Sequence, residues 1–284
     1  MAEVDWIAEI SSNHNGEIER AKELIDSVAD AGFTSVKFQL FQVKKLFSPE
    51  ALSSKPYLLD REKWELPTEF IPTLSQKARD RGLKFGITPF FLEGVSATAP
   101  YVDFFKIASY ELLWVDLLRE VAKSGKPIVL STGMATMEEV SESVSVLKSA
   151  GARDIRVLHC VSEYPATLNQ SNLSAIKSLR ENLDLAIGWS DHTNDVALVR
   201  RAVLRWGAST VELHVDLDSN GYEFDQGHCW LLPDANLLID EIAEGEVWDG
   251  NGAKAPTPAE LDEREWRADP IDGLRPISAL RSRI

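Results

Sequence analysis

Two histidines lie 22 residues apart (214 − 192 = 22), in Ser190-Asp191-His192 and in Glu212-Leu213-His214. Each follows a short apolar run that reads as a strand, residues 185–189 and 210–211, and a helix-like stretch over 195–206 separates them. A strand-helix-strand step of that length in a parallel sheet brings both imidazoles to one edge, within reach of a single divalent ion. The competing reading is that each is an ordinary histidine near a strand end. Other residue types weigh against it. Glu9, Lys37 with Gln39, Thr88, Lys106 with Ser109, Ser131 with Thr132, Tyr164, Ser190 and Glu212 all fall at or just after the ends of expected strands. Lysines there offer compact positive charge to a phosphate or carboxylate, and the hydroxyls of Thr88, Ser109 and Ser190 can donate to anionic oxygens. Two histidines with a nearby carboxylate such as Glu9 or Asp225 could hold a divalent ion and leave positions open for substrate and water. Ser131-Thr132-Gly133-Met134 turns from a strand toward a helix, so its amides could also face an anion. The site drawn from these residues binds a small phosphorylated acid beside a metal. The chain has no glycine-rich nucleotide loop and no Gly-x-Ser-x-Gly elbow.

The elements that must position these side chains follow from periodicity. Strands are expected at 6–10, 35–40, 84–87, 104–107, 127–130, 155–159, 185–189 and from 210. Helices are expected at 17–31, 69–81, 92–99, 114–124, 137–150, 172–183, 195–206 and 233–242, with Gly32, Gly82, Gly125 and Gly151 closing four of them. Eight strand-helix units within about 250 residues are the rhythm of an α/β TIM (β/α)8 barrel, with a doubly wound open sheet as the alternative. The connection over 41–68 is long enough that it should lie over a site or contain a small extra element. Residues 1–245 form the expected barrel domain. Residues 246–284 lack sustained periodicity, carry one short helical candidate at 259–266, and read as an irregular tail packing on the barrel or on a partner.

Composition limits the rest. The 284 residues carry 30 basic and 45 acidic side chains, a net charge of −15, which repels nucleic acid and leaves local cations to hold any anionic ligand. No apolar run approaches the ~18–20 residues of a membrane span, and the N-terminus lacks the blocks of a secretory signal, so a cytoplasmic location is expected. Cys160 and Cys229 are too few for a disulfide framework and read as unpaired thiols.

The motifs themselves resemble a known family. Ile7-Ala8-Glu9-Ile10 with Asn13-His14-Asn15-Gly16, Val36-Lys37-Phe38-Gln39, Thr88-Pro89-Phe90, Lys106-Ile107-Ala108-Ser109, Ser131-Thr132-Gly133-Met134, His159-Cys160 with Tyr164-Pro165, Ser190-Asp191-His192-Thr193 and Glu212-x-His214 are similar in order and spacing to the sialic acid synthase (N-acetylneuraminate synthase) family over roughly residues 5 to 240. The resemblance implies a metal-dependent condensation of phosphoenolpyruvate with an aldose such as N-acetylmannosamine, giving a 2-keto sugar acid and phosphate. It makes His192 and His214 the ligands of a manganese-type ion, with magnesium or cobalt as alternatives. It gives phosphoenolpyruvate to Lys37, Thr88, Lys106, Ser109 and Ser190, counts Ser131 among the substrate-binding residues, places Glu9 beside the reacting carbons, and turns Tyr164 and Asp225 toward the sugar.

This sequence also departs from the family. Family synthases continue into a small antifreeze-like domain that reaches over a partner's barrel, and the tail here is expected to be too short to contain it. Ser162-Glu163 stands where an asparagine is common ahead of Tyr164-Pro165, the usual Gly-Pro-Asp reads Glu223-Phe224-Asp225, and Leu213 replaces a basic residue. The expectation is therefore an intact phosphoenolpyruvate side and an altered sugar side, with a different acceptor or a lid supplied by a homodimer partner or a separate protein. A barrel of this family that binds ligand without turnover, as a partner or regulatory subunit, is the second reading. A lysine Schiff-base aldolase is a third.

Overall fold

The structure is a computed structural model that describes residues 4–249 and 252–283. Eight strands follow one another in the sheet in chain order: β1 (Asp5–Glu9), β2 (Ser35–Leu40), β3 (Lys84–Pro89), β4 (Phe104–Ile107), β5 (Ile128–Ser131), β6 (Ile155–Cys160), β7 (Ala186–Asp191) and β8 (Thr210–Asp216). Every neighbouring pair is parallel, and β8 pairs back onto β1 from Asp5↔Thr210 to Glu9↔His214. That closure makes the sheet a (β/α)8 barrel and excludes the open doubly wound alternative. A two-residue strand, β9 (Trp230–Leu231), pairs onto the end of β8.

Strand alternation sorts the barrel interior into layers. Ile7, Phe104, Val129 and Leu158 form an apolar cluster separate from the larger core between sheet and helices. Two positions further along the same strands come Glu9, Lys106, Ser131 and Cys160, which the period of two turns to the same side. The charged layer thus stands on an apolar floor. Two glycines make room for that floor. A Cβ on Gly86 would meet the Phe104 ring at 2.2 Å, and one on Gly188 would meet the Thr210 carbonyl oxygen at 2.1 Å and Leu158 Cδ2 at 2.5 Å. Below the floor, Arg156 and Asp5 form an ion pair between β6 and β1.

The helices cover the barrel with apolar faces at helical spacing. Ile18–Asp30 buries Ala21, Leu24, Ile25 and Val28, and Val115–Lys123 buries Leu117, Leu118, Val121 and Ala122. Met137–Ser149 begins at a capping box in which Thr136 and Glu139 each satisfy the other's backbone amide. The long connection after β2 is folded, with helices Val43–Leu46 and Pro49–Ser54 and a 3-10 stretch at Pro56–Trp64. The expected extra element is therefore present.

The chain divides into two compact units, Met1–Ile242 and Ala243–Ile284, with the boundary inside the helix Leu232–Asp249. Within the second unit, a 3-10 turn at Pro258–Glu260 leads into the helix Leu261–Glu265, where the short helical candidate was expected. Asp269 accepts from the amides of Ile271 (2.9 Å) and Ser278 (2.7 Å), which ties the segment to itself. Both cysteines are free thiols, as read from their number. Among the described residues no helix is long and apolar enough to cross a membrane.

Candidate active site

Four charged side chains are buried together at the C-terminal end of the barrel. Glu9, Lys37, Lys106 and Glu212 are each no more than 3% exposed. The Lys106 ammonium donates to both oxygens of Glu212 at 2.8 and 3.0 Å, and Lys37 contacts Glu9 directly while lying 3.8 Å from Glu212. Lys37 Nζ also donates to Thr88 Oγ1 at 2.9 Å, and Ser190 Oγ donates to Glu212 Oε1 at 3.0 Å. Two cations and two carboxylates cancel, which is the condition for holding all four away from water. Burial pulls the Lys37 ammonium below the ordinary lysine range, with Glu212 opposing. Burial also disfavours the Glu212 carboxylate, but Lys106 and then Lys37 outweigh it and hold Glu212 well below the usual carboxylate range.

Beside this network lies a rim of small polar groups on β4 to β6. Gly133 N donates to Ser109 Oγ at 2.9 Å, and Ser109 Oγ lies 3.2 Å from Cys160 Sγ. Among the described residues the buried hydroxyls of Ser131 and Ser162 have no hydrogen-bond partner, so two donors there can meet an anion. A side chain at 133 would strike Ser162 Oγ at 2.1 Å, which is why that turn needs glycine.

Across the barrel mouth, three histidine rings and Tyr164 pack together. Ring centroids are 5.2 Å apart for His192 and His214, 4.7 Å for His214 and His228, and 4.1 Å for Tyr164 and His192. His192 Nδ1 donates to the Val161 carbonyl at 2.7 Å, which leaves its Nε2 lone pair unused. His214 Nδ1 donates to Glu223 Oε2 at 2.8 Å, and Ser11 Oγ donates to Glu223 Oε1 at 2.8 Å. His228 is buried, and among the described residues neither of its ring nitrogens has a hydrogen-bond partner. One donor atom from each of His214, Glu223 and His228 lies within 4.8 Å of the others, a grouping that could hold a metal ion. Neighbouring Asp191 is fixed by four donors: the indoles of Trp189 (3.1 Å) and Trp230 (3.0 Å), Thr193 Oγ1 (2.7 Å) and Asn194 N (3.0 Å). That carboxylate anchors the end of β7 from which His192 projects.

Burial favours the neutral imidazole, the form that binds metals, at His14, His192 and His214. Burial first, then the field of His214, pushes His192 down to about 3, and burial alone pushes His14 down to about 4. His214 is lowered by burial although Glu223 opposes. Because folded values lie below 6.5, the unfolded chain binds more protons as pH falls through 6.5, and stability drops over that window down to the folded values. The expected loss is about 2 kcal/mol per histidine between roughly pH 7.5 and pH 5 for His14 and His192. Urea unfolding at the two pH values should show it, and His14→Asn should remove one share of the slope.

A closed parallel barrel with buried lysine–carboxylate pairs and a histidine–glutamate cluster at its C-terminal mouth defines a TIM-barrel enzyme with a metal-associated site. The chain belongs to the NeuB family, whose model matches residues 24–254. It is 35% identical over 268 residues to the N,N'-diacetyllegionaminic acid synthase of Campylobacter jejuni, covering 89% of this chain and 80% of that one. It is 28% identical over 286 residues to the pseudaminic acid synthase of Helicobacter pylori, covering 95% and 83%. The crystal structure of the N-acetylneuraminic acid (sialic acid) synthetase from Leptospira borgpetersenii, in complex with citrate, superposes with a TM-score of 0.80 at 29% identity over 93% of this chain and 91% of that one.

The structure brings together Glu9, Lys37, Thr88, Lys106 and Ser190 in one hydrogen-bonded group, and gathers Ser109 and Ser131 on the adjoining strand ends. His192, His214 and Tyr164 share the ring cluster. Asp225 is exposed on the 3-10 turn Phe224–Gln226, and the half-buried carboxylate beside that turn is Glu223. Three residues of the site were missed as candidates: Glu223, His228 and Glu111. Glu111 sits just after Ser109; burial pushes its carboxyl up to about 7 against a backbone hydrogen bond and the pull of Lys106, and its Oε2 has no partner among the described residues. Only His228, one of five histidines, carried a compositional signal.

Proposed function

We propose that the chain condenses phosphoenolpyruvate with an aldose of the N-acetylmannosamine class to a 2-keto sugar acid, releasing phosphate in a metal-dependent reaction. The observation that carries this reading is the buried pairing of Lys37 and Lys106 with Glu9 and Glu212, beside hydroxyls that lack partners among the described residues and a cluster of histidine rings. A neutral binding groove gains nothing from keeping four charges dry. A site for a small, multiply charged anion does, because the lysines exchange a carboxylate partner for a phosphate or carboxylate of the substrate.

In this reading Lys37 and Lys106 balance the charge of phosphoenolpyruvate, and Thr88, Ser109, Ser131 and Ser190 donate to its oxygens. Glu9, fixed by the Ser11 amide at 2.6 Å and by Lys37, takes or returns a proton at the reacting carbons. Tyr164, stacked on His192, forms the wall on the acceptor side, and Asp225 meets the acceptor from the rim. A divalent ion at His192 and His214, of the manganese type, supplies a Lewis acid for the aldehyde oxygen when bound. The orphaned nitrogens of His228 and the neutral state of His192 and His214 fit such an ion. Relatives named for legionaminic, pseudaminic and sialic acid synthesis support an acceptor of the N-acetylmannosamine class or a related aldose.

The test is phosphate release from phosphoenolpyruvate with Mn2+ and a panel of 2-acetamido aldoses. Release that needs both an aldose and the metal, and that stops on chelation, is expected. Binding of Mn2+ with no phosphate from any aldose would favour the binding-subunit reading instead. Trapping pyruvate on Lys37 or Lys106 with borohydride should give no adduct.

A further inference from the structure

We infer that Glu223 and His228, both on the loop after β8, are direct ligands of the divalent ion in this protein, joining His214 and extending the two-histidine set. The inference rests on the proposed metal at His192 and His214 and adds the residues that complete its coordination.

The first argument is satisfaction. His228 is 1% exposed, yet among the described residues neither of its ring nitrogens finds a hydrogen-bond partner. An imidazole buried with neither ring nitrogen met loses its hydrogen bonds to water and gains none in return. Its Nε2 lies 3.8 Å from Glu223 Oε2, too far for a hydrogen bond and well placed for two atoms sharing a cation. Ligand atoms at bonds of about 2.1 Å stand roughly 3.0–3.6 Å apart at ordinary coordination angles. The Glu223 Oε2 contacts to His214 Nδ1 at 2.8 Å and to His228 Nε2 at 3.8 Å bracket that range.

The second argument is support. Glu223 is presented by hydrogen bonds that no solvent-exposed loop carboxylate would need. Ser11 Oγ donates to its Oε1, and its amide donates to Asn13 Oδ1 at 2.8 Å. Asn13 Nδ2 in turn donates to the Val215 carbonyl at 2.9 Å, so the loop is fastened to β1 and to β8 at once. Gly221 lets the loop pass over Asn13, since a Cβ there would lie 2.3 Å from Asn13 Oδ1. The Asn13-His14-Asn15-Gly16 turn thereby acquires a role: Asn13 is a positioning residue for a metal ligand. Two imidazoles and a carboxylate, with His192 adjoining, are the donors of a first-row divalent cation.

Binding of Mn2+ to the whole chain, followed by calorimetry and by pulsed electron paramagnetic resonance, tests this without reference to turnover. Glu223→Gln and His228→Gln should each weaken Mn2+ at least about tenfold, and Ser11→Ala, which touches only the outer oxygen, should weaken it by about the same factor or less. The spectrum should lose one histidine nitrogen coupling in His228→Gln and none in Glu223→Gln, with thermal unfolding of the metal-free variants checking that each still folds. Mn2+ affinity within about threefold of the parent in both variants, with every nitrogen coupling retained, would overturn the assignment. A parent chain that binds no divalent cation would overturn it as well. If phosphate release fails while these couplings behave as expected, the ligand assignment stands and the proposed reaction falls.

Discussion

Lys106→Met should abolish most phosphate release and unfold at markedly lower urea. Lys106 donates twice to Glu212 in a pair sealed from water, so its removal leaves a buried carboxylate without its main counter-charge. Breaking such a pair costs about 3–5 kcal/mol. Lys37 at 3.8 Å and the Ser190 hydroxyl remain beside Glu212, so the low end of that range is expected. The rate should fall by about 10²–10³, the usual effect of removing a fixed electrostatic stabiliser from a dry site. The double variant Lys106→Met with Glu212→Met separates the two roles. Unfolding should return toward the parent, because an apolar pair of similar volume replaces an ion pair, while activity stays lost. Activity of Lys106→Met within a few fold of the parent would remove Lys106 from the substrate site.

Gly188→Ala should damage the barrel more than its one added methyl group suggests. A Cβ there would sit 2.1 Å from the Thr210 carbonyl oxygen and 2.5 Å from Leu158 Cδ2. A side chain can turn aside, but a carbonyl of β8 moves only by breaking the ladder that pairs Trp189 with Val211 and Ser190 with Glu212. The cost should exceed the ~1–3 kcal/mol of ordinary overpacking. Activity should fall with it, since the same ladder sets Ser190 against Glu212. Gly245→Ala, in the helix Leu232–Asp249 with nothing within 4 Å of the added carbon, is the control and should be neutral or stabilising by up to about 1 kcal/mol. Urea unfolding of both variants gives the comparison.

The sequence by itself determined the period of the fold and the residues of the barrel's charged layer. Apolar runs of strand length alternate with helical stripes, and polar residues recur at the ends of those runs. A parallel sheet sends every strand end to one face, so Glu9, Lys37, Thr88, Lys106, Ser131 and Ser190 had to converge whichever topology closed them. The family motifs fall on these same strand ends, which is why they too were legible.

Tertiary structure decided the partners. Lys106 and Glu212 are 106 positions apart, and nothing local to either names the other. Closure of the barrel itself required β8 to return to β1, a pairing no short-range signal records. Glu223 and His228 were illegible for a different reason. They lie on an irregular loop after β8, where no period relates spacing to direction, so Asp225 and Glu223 were equally eligible until the fold set Glu223 against His214 and Ser11 and left Asp225 exposed. Strands announce which way their side chains point because their geometry repeats. A loop acquires direction only from what it is fastened to, and here that is Asn13, on the far side of the chain in sequence and adjacent in space.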